Sequence, residues 1–223
     1  MIDIKNLTVR YGSNLIFNNS SAYFQKGMCY GILGLNGSGK TTLFNVLYKF
    51  KNYQGTITIN KKKVKRSNIA YLPSENYYYY NLTGREYLSI FSKKSNQKKV
   101  NEFQALFNLP LDKFIKEYSS GMKKKLALVG ILLLNRNIFL LDEPFENLDV
   151  DSLYIFQEII KILKSKGRTI IISSHNINVL EGVCDTYYFI ENQGINELAD
   201  CKKIYIRDTL KNKYDDLMKE IIL

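Results

Sequence analysis

Residues 28–42 read MCYGILGLNGSGKTT, and the fold follows from them. Met28 to Leu33 is a compact apolar run of strand length, and it leads without a break into Gly34-Leu35-Asn36-Gly37-Ser38-Gly39-Lys40-Thr41. That octet fits G-x-x-x-x-G-K-[ST], and Leu43, Phe44, Val46 and Leu47 behind it fall at helical spacing. In such a strand, glycine-rich loop and helix, consecutive backbone N–H groups can curl around phosphate oxygens at a helix N-terminus. Lys40 then reaches the β- and γ-phosphates and the Thr41 hydroxyl is placed for Mg²⁺, with Thr42 near the α-phosphate.

A phosphate loop of this kind needs a carboxylate for the metal. Ile138-Phe139-Leu140-Leu141 reads as a buried strand and ends in Asp142 and Glu143. Strand tips in an α/β sheet aim their side chains at the ligand crevice. Asp142 is therefore expected to hold Mg²⁺ through water, and Glu143 to polarise the attacking water as general base.

Outward from this centre, Ile2, Ile4, Leu7, Val9 and the stretch from Leu15 to Phe24 predict an N-terminal lobe of short antiparallel strands. GTITIN (55–60) and IAYL (69–72) read as further strands. Residues 83–118 read as helical, opening on the capping-box spacing of Thr83 and Glu86. A helix over 119–134, a strand over 137–141, a helix over 152–166 and a strand over 169–173 alternate, so the centre is expected to be a parallel α/β sheet. A strand pair from Tyr187, a strand over 201–207 and a helix over about 209–222 complete the expectation. The division expected is one unit over 1–223, with 1–81 and 137–223 as core and β lobe and 82–136 as a helical subdomain.

With 45% hydrophobic and 24% charged residues among 223, the composition is that of a globular chain, not a disordered one. Three cysteines at wide spacings fit neither a zinc knuckle nor a disulfide framework and point to a reducing compartment. Asp3, Lys5 and Arg10 interrupt what would be the apolar core of a signal peptide, so chain start at Met1 is expected. The apolar stretch from Leu126 to Leu134 is too short for a bilayer span. A net charge of +11, concentrated in KKKVKR (61–66), KKSNQKK (93–99) and KKK (123–125), leaves nucleic acid, an anionic membrane surface and a merely solvated exterior open.

Taken together, these stations resemble the ATP-binding subunit of an ABC transporter over nearly the whole chain. The family's signature helix opens on LSGGQ. Here Tyr118-Ser119-Ser120-Gly121-Met122 stands in its place, keeping Ser119 and Gly121 and resembling the variants of drug, antibiotic and bacteriocin exporters. The resemblance implies a P-loop NTPase fold with a RecA-like mixed-sheet core, an N-terminal antiparallel β lobe and a helical subdomain. It implies that Ser119 and Gly121 of one cassette reach ATP on the P-loop of another, in a homodimer or a heterodimer. Tyr11 matches the adenine-stacking aromatic, Asn147-Leu148-Asp149 the D-loop, and His175 the switch histidine at the γ-phosphate.

One station departs from the family. Where its Q-loop glutamine should follow Leu72-Pro73, this chain has Ser74 and then Glu75. A serine hydroxyl is too short to span a glutamine's reach, which leaves metal contact through water or through Glu75. The four tyrosines 77–80 that follow are expected to face a membrane subunit as interface anchors, the alternative being that some fold back into the helical lobe. The resemblance implies an ATPase using ATP and Mg²⁺, seated at the cytoplasmic face of a bacterial membrane on separate integral subunits, with no nucleic acid expected. The alternative is a soluble cassette serving a non-membrane assembly such as iron-sulfur cluster machinery.

Overall fold

A computed structural model of the chain describes residues 1–91 and 97–198. Strands β1 (Ile2–Tyr11), β2 (Asn14–Phe24), β4 (Gln54–Ile59) and β5 (Lys62–Lys63) form an antiparallel sheet in the order β2-β1-β4-β5. The second sheet is built from β3 (Cys29–Leu33), β6 (Ile69–Leu72), β7 (Ile138–Asp142), β8 (Thr169–Ser173), β9 (Thr186–Glu191) and β10 (Gly194–Leu198). Its order is β10-β9-β3-β8-β7-β6, parallel throughout except for the β9/β10 hairpin. Helices α1 (Lys40–Leu47), α2 (Gly84–Phe91), α3 (Gln97–Phe107), α4 (Ser120–Leu133) and α5 (Val150–Ser165), with short 3-10 turns over Arg66–Asn68, Ile115–Glu117 and Ile177–Val179, complete the described regular structure.

The period-2 alternation of side chains explains why the central strands are apolar on every residue. Leu72, Phe139, Leu141, Ile170 and Ile172 point into a core shared with α2 to α5. Their sequence neighbours Tyr71, Ile138, Leu140 and Ile171 point the other way, into a core shared with α1 and the antiparallel sheet. Both faces of the sheet are thus covered, and only the strand tips remain to carry polar chemistry. Among the described residues no helix is long and apolar enough to cross a membrane.

The helical run expected over 83–118 stops at Phe107. Asn108 adopts a left-handed φ of 49°, and Pro110 two residues on has no N–H to continue the ladder. Beyond that break Leu111 and Ile115 are fully buried, Ile115 at the head of a short 3-10 turn over Ile115–Glu117. That segment is pinned by the Ile115 N–H donating to Leu82 O at 2.9 Å and by a bridge between Thr83 and Phe114. The strand expected over 201–207 and the helix over 209–222 lie outside the described residues.

Three of the described α-helices begin on side-chain caps, and at the head of α2 the expected capping box forms, Thr83 Oγ1 accepting the Glu86 N–H at 3.2 Å and Glu86 Oε2 the Thr83 N–H at 2.8 Å. Ser119 Oγ accepts the Met122 N–H at the head of α4, and Asp149 Oδ1 accepts the Ser152 N–H at the head of α5. Asp149 also meets Lys125 Nζ at 2.7 Å. The Lys125 hydrogen bond, then those from Ser152, hold the Asp149 carboxyl well below the usual carboxylate range. The folded carboxylate therefore keeps its charge to lower pH than the unfolded one, so its contribution is complete above the ordinary value of about 4 and is lost as pH falls below it. We expect Asp149→Asn to lower the thermal midpoint at neutral pH and the gap to the parent to close under acid. A gap that does not change with pH would refute the ion-pair contribution.

Candidate nucleotide site

The turn from β3 into α1 is shaped by glycine. Gly39, the N-cap of α1, has φ 113°, and a Cβ there would lie 2.8 Å from Ile16 Cγ2. At Gly34, with φ 156°, a Cβ would meet Ser38 Oγ at 2.5 Å and the Ile190 carbonyl at 3.0 Å. Neither position leaves room for a side chain, so the backbone itself forms the wall of the loop. The loop opens on a cavity of about 360 Å³ lined by residues 35–42 together with Ser74, Asp142, Glu143 and Glu146.

Lys40 is buried and curls back over its own loop, donating to Gly34 O at 2.8 Å and Leu35 O at 3.4 Å. Its Nζ also stands 3.6 Å from Glu143 Oε1. At the tip of β7, Asp142 is fully buried and accepts from Thr41 Oγ1 at 2.6 Å and from Ser173 Oγ. Two hard oxygens so close, one of them an acid, are donors of the kind Mg²⁺ takes, so the residues present fit that ion.

Glu143 has a left-handed φ of 45°, a conformation rare for a residue with a side chain. Its surroundings hold it there. Its N–H donates to Ser173 Oγ at 2.9 Å, and its Oε2 lies 3.1 Å from His175 Nδ1 and accepts the His175 N–H at 3.3 Å. Glu146 Oε1 approaches the same imidazole nitrogen at 3.8 Å. Residues from the P-loop, the β7 tip and the β8 exit thus converge, although up to 141 positions separate Gly34 from His175 in the chain.

Other expected residues stand apart from this cavity. Tyr11, at the end of β1, is half exposed and carries the Lys51 ammonium 3.7 Å above its ring. Ser119 is exposed, and Gly121 packs so closely on the Asn147 carbonyl that a Cβ would sit 2.6 Å from that oxygen. Of the two residues after Pro73, Ser74 lines the cavity and Glu75 is exposed.

The tyrosine run needs a correction. Tyr77, Tyr79 and Tyr80 are exposed at 80%, 57% and 53%, but Tyr78 is buried at 9%, packs on the Tyr87 ring and donates its hydroxyl to Lys123 O at 2.8 Å. An extended run cannot present every side chain to one side, and the apolar surface beside α2 takes the one that turns inward. Lys124 was hidden in the basic run 123–125. It is buried, and its Nζ donates to Ser74 O at 3.3 Å. Burial lowers its pKa, while Glu146, Asp142 and Glu143 act in the opposite sense. Ser173 and Glu146 also escaped sequence reading; Ser173 is the β8 residue paired with Asp142 of β7, a neighbour that only the strand register reveals.

The family pattern described as ABC transporter matches residues 17–146. The chain belongs to this family. The cassette is 31% identical over 206 residues to the Nod factor export ATP-binding protein I of Burkholderia lata, covering 85% of this chain and 67% of that one. Over the full length of both chains it superposes with a TM-score of 0.84 and 25% identity on a solved ATP binding subunit of an ABC transporter. The cassette MJ0796, solved as a dimer in a post-hydrolysis state with ADP and Pi, shares the fold at a TM-score of 0.79 and 22% identity, covering 89% of this chain and 98% of that one.

Because Ser173 Oγ serves both Asp142 and the Glu143 N–H in a buried place, Ser173→Ala leaves both groups short of a partner. A stability loss of about 1–3 kcal/mol is expected from urea unfolding. An unchanged urea midpoint would show that the hydroxyl does not hold the β7 tip.

Proposed function

We propose that this ABC cassette hydrolyses ATP to ADP and phosphate and that the cycle drives export through separate integral membrane subunits. The observation that carries the reading is that Lys40, Thr41, Asp142 and Glu143 line one cavity at the glycine-rich loop, with His175 hydrogen-bonded to Glu143 beside it. In this reading the amides of residues 34–39 and the Lys40 ammonium bind the β- and γ-phosphates, and Lys40 exchanges its loop carbonyls for phosphate oxygens. Thr42 lies at the α-phosphate and Tyr11 against the adenine. Thr41 and, through water, Asp142 would hold Mg²⁺, with Ser74 at the edge of that site; bound there, the ion neutralises charge developing on the phosphate oxygens.

Glu143 orients the attacking water and takes its proton, and His175 fixes the carboxylate and contacts the γ-phosphate. Ser119 and Gly121, which do not line the cavity of their own chain, serve the site of a second cassette. ATP then draws two cassettes together and hydrolysis releases them. Export is favoured by the Nod factor export relative and by the signature variant at Tyr118 to Met122. A seat on the cytoplasmic face of the membrane follows from that partnership.

Lys40→Ala should abolish nucleotide binding and turnover, whereas Glu143→Gln should bind ATP, fail to turn it over and accumulate as a dimer. A Glu143→Gln protein that stays monomeric with ATP would overturn the two-cassette site. Purifying tagged Glu143→Gln from its host with ATP and mild detergent should recover proteins with several apolar spans. Repeated recovery of a soluble assembly instead would move the protein away from transport.

Tyr77, Tyr79 and Tyr80 form the proposed contact with the membrane subunit. Replacing Tyr77 and Tyr79 together by Ala should leave the ATPase of the isolated cassette within about twofold, since exposed side chains contribute little to the fold, while the membrane subunit is lost from the purified complex. Retention of that subunit in full yield would refute the contact.

A further inference from the structure

At the opposite end of β3 from the phosphate loop, two thiols meet. Cys29 Sγ and Cys184 Sγ lie 3.6 Å apart across 155 positions of sequence, and both cysteines are free. Cys29 is the first residue of β3 and is fully buried; Cys184 is half-buried, just ahead of β9. Their backbones are pinned to one another through Asp185. The Cys29 N–H donates to Asp185 Oδ2 at 2.9 Å, and the Asp185 N–H donates to Cys29 O at 2.8 Å. Lys164 Nζ closes on the other carboxylate oxygen at 2.8 Å, and parallel pairing of β3 with β9 starts at the next residues, Tyr30 and Thr186. None of these groups belongs to the nucleotide cavity.

We propose that Cys29 and Cys184 are an oxidisable dithiol, a modification site that closes to an intramolecular disulfide in exchange with a low-molecular-weight disulfide such as oxidised glutathione. A disulfide has an S–S length of about 2.05 Å, so the sulfurs must close by about 1.5 Å, a shift of side chains between strands that are already paired.

Access divides the work between the two thiols. Cys184 is the less buried of the two and reacts first. The hydrogen bond with Cys184, then burial, hold the Cys29 thiol well above its ordinary pKa, so Cys29 acts second. In the first step the Cys184 thiolate attacks one sulfur of the small disulfide, forming a mixed disulfide and expelling a thiolate that takes up the proton Cys184 released. In the second, Cys29 loses its proton and attacks Cys184 Sγ, and the second small thiol leaves with that proton. Two protein thiols are oxidised by two electrons in all, and one small disulfide is reduced to two thiols. The bond ties the base of the strand that carries the phosphate loop to β9 and restricts the unfolded chain over a long loop.

The test uses the full chain with Cys201, which lies outside the described residues, replaced by Ser. After incubation with oxidised glutathione, the protein is denatured, its free thiols are alkylated and it is weighed and digested. The expected product has lost both thiols, carries no glutathione, yields linked peptides containing residues 29 and 184, and melts a few degrees higher until dithiothreitol reverses the shift. Cys29→Ser in the same background should stop at a glutathione adduct on Cys184, with Cys29→Ala as a second variant if serine is not tolerated in the core. Two outcomes overturn the proposal: a Cys184 adduct that persists with Cys29 still open to alkylation after unfolding, or two thiols unchanged throughout. Disulfide-linked dimers in place of the internal bond would overturn it as well.

Discussion

The carboxylate of Asp142 sits fully out of solvent at the end of a strand buried on both faces, and the rest of the site is arranged around satisfying it. A buried acid without hydrogen bonds would cost several kcal/mol, an order-of-magnitude figure large against the net stability of a domain. Here the donors come from two segments distant in sequence, Thr41 at the start of α1 and Ser173 at the end of β8. Ser173 then extends the arrangement to Glu143 by accepting its N–H, which helps keep that residue in a left-handed turn and its side chain between Lys40 and His175. Parallel pairing of β7 with both β6 and β8 is what brings these tips to one edge.

A second constraint links the cavity to the surface that carries the tyrosines. The Ser74 carbonyl is held by Lys124 and the Tyr78 hydroxyl by the Lys123 carbonyl, so the segment after β6 is joined at two points to the first turns of α4. The same helix begins at Ser119, and its Gly121 rests against Asn147 beyond the β7 tip. These links run through the side chains of Lys124 and Tyr78 and through the close backbone packing at Gly121. The chain lacks a glutamine after Leu72-Pro73, and the lysine bond to Ser74 O ties down the backbone at that position.

Much of the fold was legible because the central parallel strands are apolar along their interior positions and the phosphate loop has fixed residue spacing. Both properties survive in a linear string. The helical reading over 83–118 overran because the apolar positions up to Phe107 do not mark the break at Asn108 and Pro110, beyond which Leu111 and Ile115 reach the core outside any α-helix. Tyr78 and Lys124 were indistinguishable from their neighbours in a tyrosine run and a lysine run; only the packing of α2 and α4 makes one member of each run buried. Cys29 and Cys184 looked unrelated for the same reason, since the pairing of β3 with β9 is what puts them in contact.

The sequence by itself determined the α/β architecture, the phosphate loop, the acidic strand end and the family, because each rests on local periodicity or on spacing along a short stretch. The tertiary structure alone decided which polar groups are paired: Ser173 with Asp142 and Glu143, Lys124 with Ser74, and the thiol of Cys29 with that of Cys184. Those pairs join positions between 30 and 155 residues apart, and such contacts are set by strand order and register, which no single stretch of the chain encodes.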